Sequence, residues 1–180
     1  PFMPTYPLEG TGIFQHRSIL GEDKVRVIES PFSGEKVCLV KPLAPEVCLV
    51  HVQRADPEGN AQMWGPLGDV RGTANAGKMV IVAAEEIVDQ ATVLKEPYKT
   101  ILPGFRVTAV VHEPWGAHPS DVLEHYYRDI WFQAAYAEAS KTVEGFQQFM
   151  DEWVYGVENR TAYLEKLGAK KRDELRWRRD

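Results

Sequence analysis

Two unbroken apolar runs limit what this chain can become. Val47-Cys48-Leu49-Val50 and Met79-Val-Ile-Val-Ala-Ala84 are each too short for a free helix and rich in β-branched residues, so they read as strands buried on both faces. Between them, Leu67 to Lys78 carries Thr73, Ala74, Ala76 and Gly77 at a spacing that suits a short helix lying close to a sheet. Strand, helix and strand in that order make a right-handed βαβ unit, and hence a parallel sheet.

After the first run the chain turns polar. His51 to Gly65 reads HVQRADPEGNAQMWG, and Asp56-Pro57-Glu58-Gly59-Asn60 has the residues of a tight turn. A polar loop at the carboxyl end of a buried strand is where open α/β sheets collect ligands. Val107 to Val111 supplies a further strand after Pro103-Gly104. Ahead of these, Lys24 to Ile28 alternates as a half-buried strand, and Ser30-Pro31 with Gly34 turns the chain into Val37-Cys-Leu-Val40. The first 24 residues, with three Pro and three Gly, read as irregular structure anchored by Phe2, Tyr6, Leu8 and Phe14.

Beyond Ser120 the pattern is helical. Tyr127, Ile130, Trp131, Ala134 and Ala135, and then Phe146, Phe149, Met150 and Trp153, keep one face at helical spacing and are expected in the core. Asn159 is placed to cap a third helix that Gly168 ends. The fold class expected is α/β: an open, largely parallel sheet flanked by helices, as a single domain over 1–180 with a helical C-terminal segment over 121–180.

Charge and motifs exclude several functions. A net charge of −5 argues against general nucleic-acid binding. The exception is the tail, where Lys170, Lys171, Arg172, Arg176, Arg178 and Arg179 mix with acids, a pattern expected of a solvated helix face or of a dock for an anionic partner such as CoA phosphates. No run approaches a membrane span and no leader pattern opens the sequence, so a cytoplasmic protein is expected. The chain begins with Pro, in mid-phrase, as though an upstream portion were removed. Cys38 and Cys48 read as buried thiols. His112-Glu113 with His118 fails the zinc pattern, because four residues intervene and Pro114 blocks a helix; no metal is expected. Asp56 and Glu58 lack the further ligands of a calcium loop, and nucleotide-binding glycine motifs are absent.

Polar groups at strand ends remain: His51, His118, Ser120, Glu85 and Glu86. For the two glutamates the simpler expectation is charging the start of a short helix. Trp64 and Trp115, each beside a glycine, are placed to line an acyl or pantetheine channel or to bury against their own loops.

Four segments in order carry a family resemblance: Ser30-Pro-Phe-Ser-Gly-Glu-Lys36, His51 to Gly65, Ile81-Val-Ala-Ala-Glu-Glu-Ile-Val88, and Val110-Val-His-Glu-Pro-Trp-Gly-Ala-His-Pro-Ser120. Together with Trp153-Val-Tyr-Gly156 and Tyr163-Leu-Glu-Lys-Leu-Gly168 they resemble the family I CoA-transferases, the glutaconate CoA-transferases among them, and specifically the C-terminal part of the subunit that lacks the nucleophile. The resemblance implies transfer of CoA from an acyl-CoA to a carboxylic acid through acyl anhydride and glutamyl-CoA thioester intermediates. It implies no permanent cofactor, CoA entering as acyl-CoA substrate, and a hetero-oligomer with a second CoA-transferase subunit. The nucleophilic glutamate of the family lies in a Ser-Glu-Asn-Gly stretch of that companion subunit, and no such stretch occurs here, so no catalytic residue is assigned to this chain. The substrate-binding residues expected are His51, Asn60, Trp64, His118 and Ser120. Alternatives are one chain of an acyl-CoA ring-opening hydrolase on the same scaffold and a non-catalytic assembly protein.

Overall fold

The computed structural model describes residues 3–5, 11–15 and 24–178. Within it the chain forms two compact units, one of residues 1–46 with 76–78 and the other of 47–75 with 79–180.

The first unit holds a three-stranded antiparallel sheet in the order β1-β3-β2, with β1 Met3–Thr5, β2 Val25–Glu29 and β3 Lys36–Val40. The turn read from Ser30 to Gly34 is present. Gly34 takes φ +75°, open to glycine at no steric cost, and donates to the Ser30 carbonyl. A short helix, α1 Gly12–Gln15, interrupts the segment expected to be irregular. The four anchors assigned to that segment lie outside the residues whose side chains are described.

The second unit carries a five-stranded sheet in the order β7-β5-β4-β6-β8. Its strands are β4 Val47–Ala55, β5 Ala61–Gln62, β6 Met79–Ile87, β7 Thr100–Leu102 and β8 Ala109–His112. β4, β6 and β8 pair in parallel, as the apolar runs predict; β5 runs antiparallel to both of its neighbours, which makes the sheet mixed. Helix α2, Val70–Ala76, links β4 and β5 to β6 and buries Ala74 completely. Val50, Val52, Val80, Val82, Ala84, Ile101 and Leu102 form the core with it. Small residues in α2 permit that approach, and the Cys48 thiol reaches the Thr73 carbonyl at 3.0 Å.

Three expectations need correction. The run Val47–Val50 is buried on one face only, for Val47 is 42% and Leu49 74% exposed while Cys48 and Val50 face the core. Strand β4 also does not stop at His51 but continues to Ala55. Its polar residues find partners in the sheet: Gln53 donates to the Trp64 carbonyl at 2.8 Å, and Arg54 reaches both the Gln62 amide oxygen at 2.6 Å and Glu96 at 2.9 Å. Finally, Glu85 and Glu86 sit inside β6, and Asp89 instead caps the next helix, α3 Gln90–Lys95, accepting from Thr92 N–H.

The C-terminal helices are α4 Ile130–Ala139, α5 Val143–Met150, α6 Arg160–Leu167 and α7 Ala169–Leu175, with a π-helical turn at Asp151–Tyr155. Asn159 caps α6 and Gly168 ends it, as read from the sequence. Neither α4 nor α5 buries a residue fully. Ile130 is 60% and Trp131 74% exposed, and Tyr127, Ala134, Ala135 and Phe146 are exposed as well, so those six are not core residues. Helical spacing defines a shared face but says nothing about whether another layer covers it. Trp131→Ala is therefore expected to move the unfolding free energy by no more than about 0.5 kcal/mol, as for other exposed sites; a urea titration against the parent chain checks this.

Candidate active site

The segment from Glu113 to Asp129 folds back over His51 of β4 and Glu85 of β6, and one carboxylate holds the two layers together. Alternation along the strands puts His51 of β4 and Glu85 of β6 on the same face. His51 Nε2 lies 2.7 Å from Glu85 Oε1. The Tyr126 hydroxyl donates to that oxygen at 2.6 Å, and the Trp115 backbone N–H donates to Oε2 at 2.7 Å. His112 Nε2 contacts the Glu85 carbonyl at 3.1 Å. Tyr126 in turn accepts from Ala117 N–H at 3.1 Å and stacks on Trp115 with ring centroids 4.3 Å apart.

Burial pushes the Glu85 carboxyl up, but the hydrogen bonds from His51, Tyr126 and Trp115 outweigh it and hold the group below its ordinary value. It is an ionised acceptor in a site where only 6% of the residue is exposed. Burial, and then the bond to Glu85, push the Tyr126 hydroxyl far up, so it stays a donor. Gly116 makes the approach of the loop possible: a Cβ there would stand 2.5 Å from His51 Cε1 and 2.7 Å from Nδ1. Gly116→Ala is expected to cost about 1–3 kcal/mol, the range for overpacking, and to shift the His51 ring resonances in an NMR spectrum.

The loop is also held from behind by the last helices. Arg160 donates through its guanidinium to the Trp115 carbonyl and lies 3.5 Å from Glu113. Tyr163 contacts His118, and Lys171 reaches Asp129 at 3.2 Å. Tyr127 N–H donates to the Leu175 carbonyl and Trp177 N–H to the His125 carbonyl, beneath the stacked rings of Tyr127 and Trp177. Part of the basic tail is thus structural rather than a solvated face, since Lys171 neutralises the buried Asp129; Arg179 lies outside the described residues.

Beside the Glu85 cluster opens a cavity of about 280 Å³, whose lining includes His51, Gln53, Met63, Trp64, Ser120 and Arg128. Three of the five residues expected to bind substrate, His51, Trp64 and Ser120, share it. The Trp64 ring lies under Lys99 Nζ at 4.5 Å and Arg54 at 5.4 Å, and its Nε1 is buried without a hydrogen bond among the described residues. Arg128 is paired with Asp121 at 2.8 Å.

The other two stand elsewhere. Asn60 closes its turn through Asp56, with N–H and Nδ2 both donating at 2.8 Å, and accepts from Gly104 N–H at 3.0 Å. His118 lines a separate hollow among the C-terminal helices. Sequence reasoning did not identify Tyr126, because no periodicity or motif marks a tyrosine in an irregular loop; Glu85 it named without its partners. Among the described residues no group of three or more His, Cys, Asp or Glu is placed to hold a metal ion, and no helix is long and apolar enough to cross a membrane.

Residues 9–113, which include β4, β6, β8 and Glu85, match the family model described as Coenzyme A transferase. The chain belongs to the coenzyme A transferase family. It is 37% identical over 180 aligned residues to one of the subunits of glutaconate CoA-transferase from Acidaminococcus fermentans, covering 94% of this chain and 56% of that protein. To one of the subunits of 3-oxoadipate CoA-transferase from Pseudomonas knackmussii it is 35% identical over 148 residues, 82% of this chain and 51% of that one. The chain spans about half the length of these curated relatives. The crystal structure of the Acidaminococcus fermentans glutaconate coenzyme A-transferase superposes with a TM-score of 0.88 at 35% identity, over 99% of this chain and 60% of that one. A mixed five-stranded sheet flanked by helices is therefore a coenzyme A transferase fold in this chain.

Proposed function

We propose that the chain is the non-nucleophilic component of a heteromeric CoA-transferase, which moves CoA from an acyl-CoA to a carboxylic acid while a glutamate of the companion subunit carries the covalent intermediates. The observation behind this reading is the cavity beside β4, walled by His51, Trp64 and Ser120, with an ionised Glu85 holding the His51 ring, in a chain of this family.

In this reading the chain binds and orients rather than attacks. Glu85 has both oxygens occupied by donors, so it fixes the His51 ring instead of acting as a nucleophile. Trp64 and Met63 supply apolar walls for the acyl or pantetheine portion, and His51 and Ser120 supply the few polar contacts that fix a ligand's orientation. Asn60 and His118 act by holding their loops. The setting is cytoplasmic, and CoA comes and goes as substrate.

The test is turnover of the assembled enzyme. His51→Ala is expected to lower kcat/KM by about 10–100-fold, the loss of one polar contact in a desolvated site, and to cost about 1–3 kcal/mol of stability because it takes a donor from Glu85; Ser120→Ala is expected to lower kcat/KM by a smaller factor, with its unfolding midpoint close to the parent. Full turnover in both variants would remove this cavity as the acyl site.

A further inference from the structure

The hollow that His118 lines is independent of the Glu85 cluster. It measures about 380 Å³, within the range of roughly 300–1,000 Å³ typical of small-molecule sites. Phe132 of α4, Phe149 of α5, Trp153 and Val154 of the π turn and Tyr163 of α6 wall it, and the His118 side chain, fully buried, forms its base. The rings meet edge to face: Phe132 lies 4.8 Å from Trp153 and 5.5 Å from Phe149, and Trp153 lies 5.9 Å from Tyr163. Edge-to-face packing of this kind is a favoured arrangement of aromatic pairs and holds the rings in place. Single π turns are frequent at functional sites, and this one delivers two wall residues.

The ions nearby are already engaged. Asp129 accepts from Phe132 N–H at 3.0 Å, faces Lys171 at 3.2 Å and His118 Nε2 at 3.4 Å. Arg160 donates to the Trp115 carbonyl, lies over the Tyr163 ring at 4.5 Å, and turns its Nε, which makes no hydrogen bond among the described residues, to within 3.5 Å of Glu113. No charge among the described residues of the wall is left to receive an ionic ligand.

Along the chain Asp129–His118–Tyr163, proton accounting leaves one open valence. Burial pushes the Asp129 carboxyl up, but Phe132 N–H, Lys171 and His118 outweigh it, so it is ionised and can only accept. Burial, opposed by Asp129, holds His118 below its ordinary value and therefore neutral. Its Nε2 then carries the hydrogen toward Asp129, and its Nδ1, 2.6 Å from the Tyr163 oxygen, accepts the phenolic proton. Among the described residues nothing donates to that oxygen in return.

We propose that this hollow binds a neutral, ring-sized molecule with a single hydrogen-bond donor, of the phenol or indole class, its ring against Phe132, Phe149 and Trp153 and its donor on the Tyr163 oxygen. The inference does not rest on CoA transfer. Calorimetric titration of the full chain with phenol, toluene and benzoate tests it. Phenol should bind at least tenfold more tightly than toluene, which lacks the donor, and than benzoate, which brings a charge. Tyr163→Phe should erase the margin over toluene while toluene binding persists. Val154→Trp, which fills the mouth from a residue already 47% exposed, should weaken phenol and toluene alike at least tenfold, and it carries the test if Tyr163→Phe does not fold. Equal affinity for phenol and toluene, an intact margin in Tyr163→Phe, or undiminished binding in Val154→Trp would each overturn the proposal. So would displacement of phenol by the companion subunit, which would make the hollow a seat for polypeptide.

Discussion

Replacing Glu85 by alanine is expected to cost the fold about 3–5 kcal/mol, a large part of the stability of a domain this size. Three buried or half-buried donors, His51 Nε2, the Tyr126 hydroxyl and the Trp115 N–H, would lose their acceptor together. Each orphaned donor costs about 1–3 kcal/mol; the sum is less than additive, because the three share one partner and water can enter the space left behind. Chemical denaturation of the variant measures the loss, and a change below about 1 kcal/mol would show that Glu85 does not hold the loop. The same group sets an acid limb. Its folded pKa lies below the unfolded value of about 4.3, so its contribution is fully present above that value and disappears as pH falls through the folded pKa. Asp129, also depressed, acts in the same direction. Glu85→Gln, which cannot titrate, should therefore lose less stability than the parent between about pH 5 and pH 3.

The second large effect is on activity. The 180-residue chain alone is expected to transfer no CoA, and transfer is expected when a companion subunit carrying the family's nucleophilic glutamate is supplied, with any further portion of its own polypeptide that the assembly needs. The physical ground lies in this chain's own carboxylates: Glu85 is saturated with hydrogen bonds, and Glu86, exposed at the end of β6, has only His125 at 4.0 Å, among the described residues, to activate it. Incubation of the assembled enzyme with acyl-CoA should leave a glutamyl-CoA thioester on the companion chain, captured by hydroxylamine or borohydride and located by mass spectrometry. A label on Glu85 or Glu86, or turnover by the chain alone, would defeat the assignment.

What the residues reveal by themselves follows from the range of each interaction. β4, β6 and β8 were legible because burial against a core writes an apolar run into the chain, and the Asn159 and Gly168 helix ends because capping acts within a few residues. β5 and β7, two and three residues long, have no run to read. The polar second half of β4 passed for loop because Gln53 and Arg54 are satisfied by Trp64, Gln62 and Glu96, 8 to 42 residues away. For the site, His51, Trp64 and Ser120 could be singled out by type and position. That they share a cavity while His118 lines another depends on how one irregular loop folds back, and Tyr126, which decides that path, bears no local mark.

The partners of that loop lie far along the chain. Tyr126 answers to Glu85, 41 residues before it, whereas Trp115 and His118 answer to Arg160 and Tyr163, each 45 residues after them. During synthesis, therefore, β4 and β6 can pair while the segment that covers His51 and Glu85 still has nothing to lean on. Domains emerge from the ribosome N-terminal part first, at about 5–20 residues per second, so the span from Tyr126 to Trp177 corresponds to a few seconds in which the sheet exists and its pocket does not. Until Arg160 and Tyr163 have emerged, the segment that walls the pocket lacks the partners that fix its path, so the pocket takes shape only after the sheet beneath it.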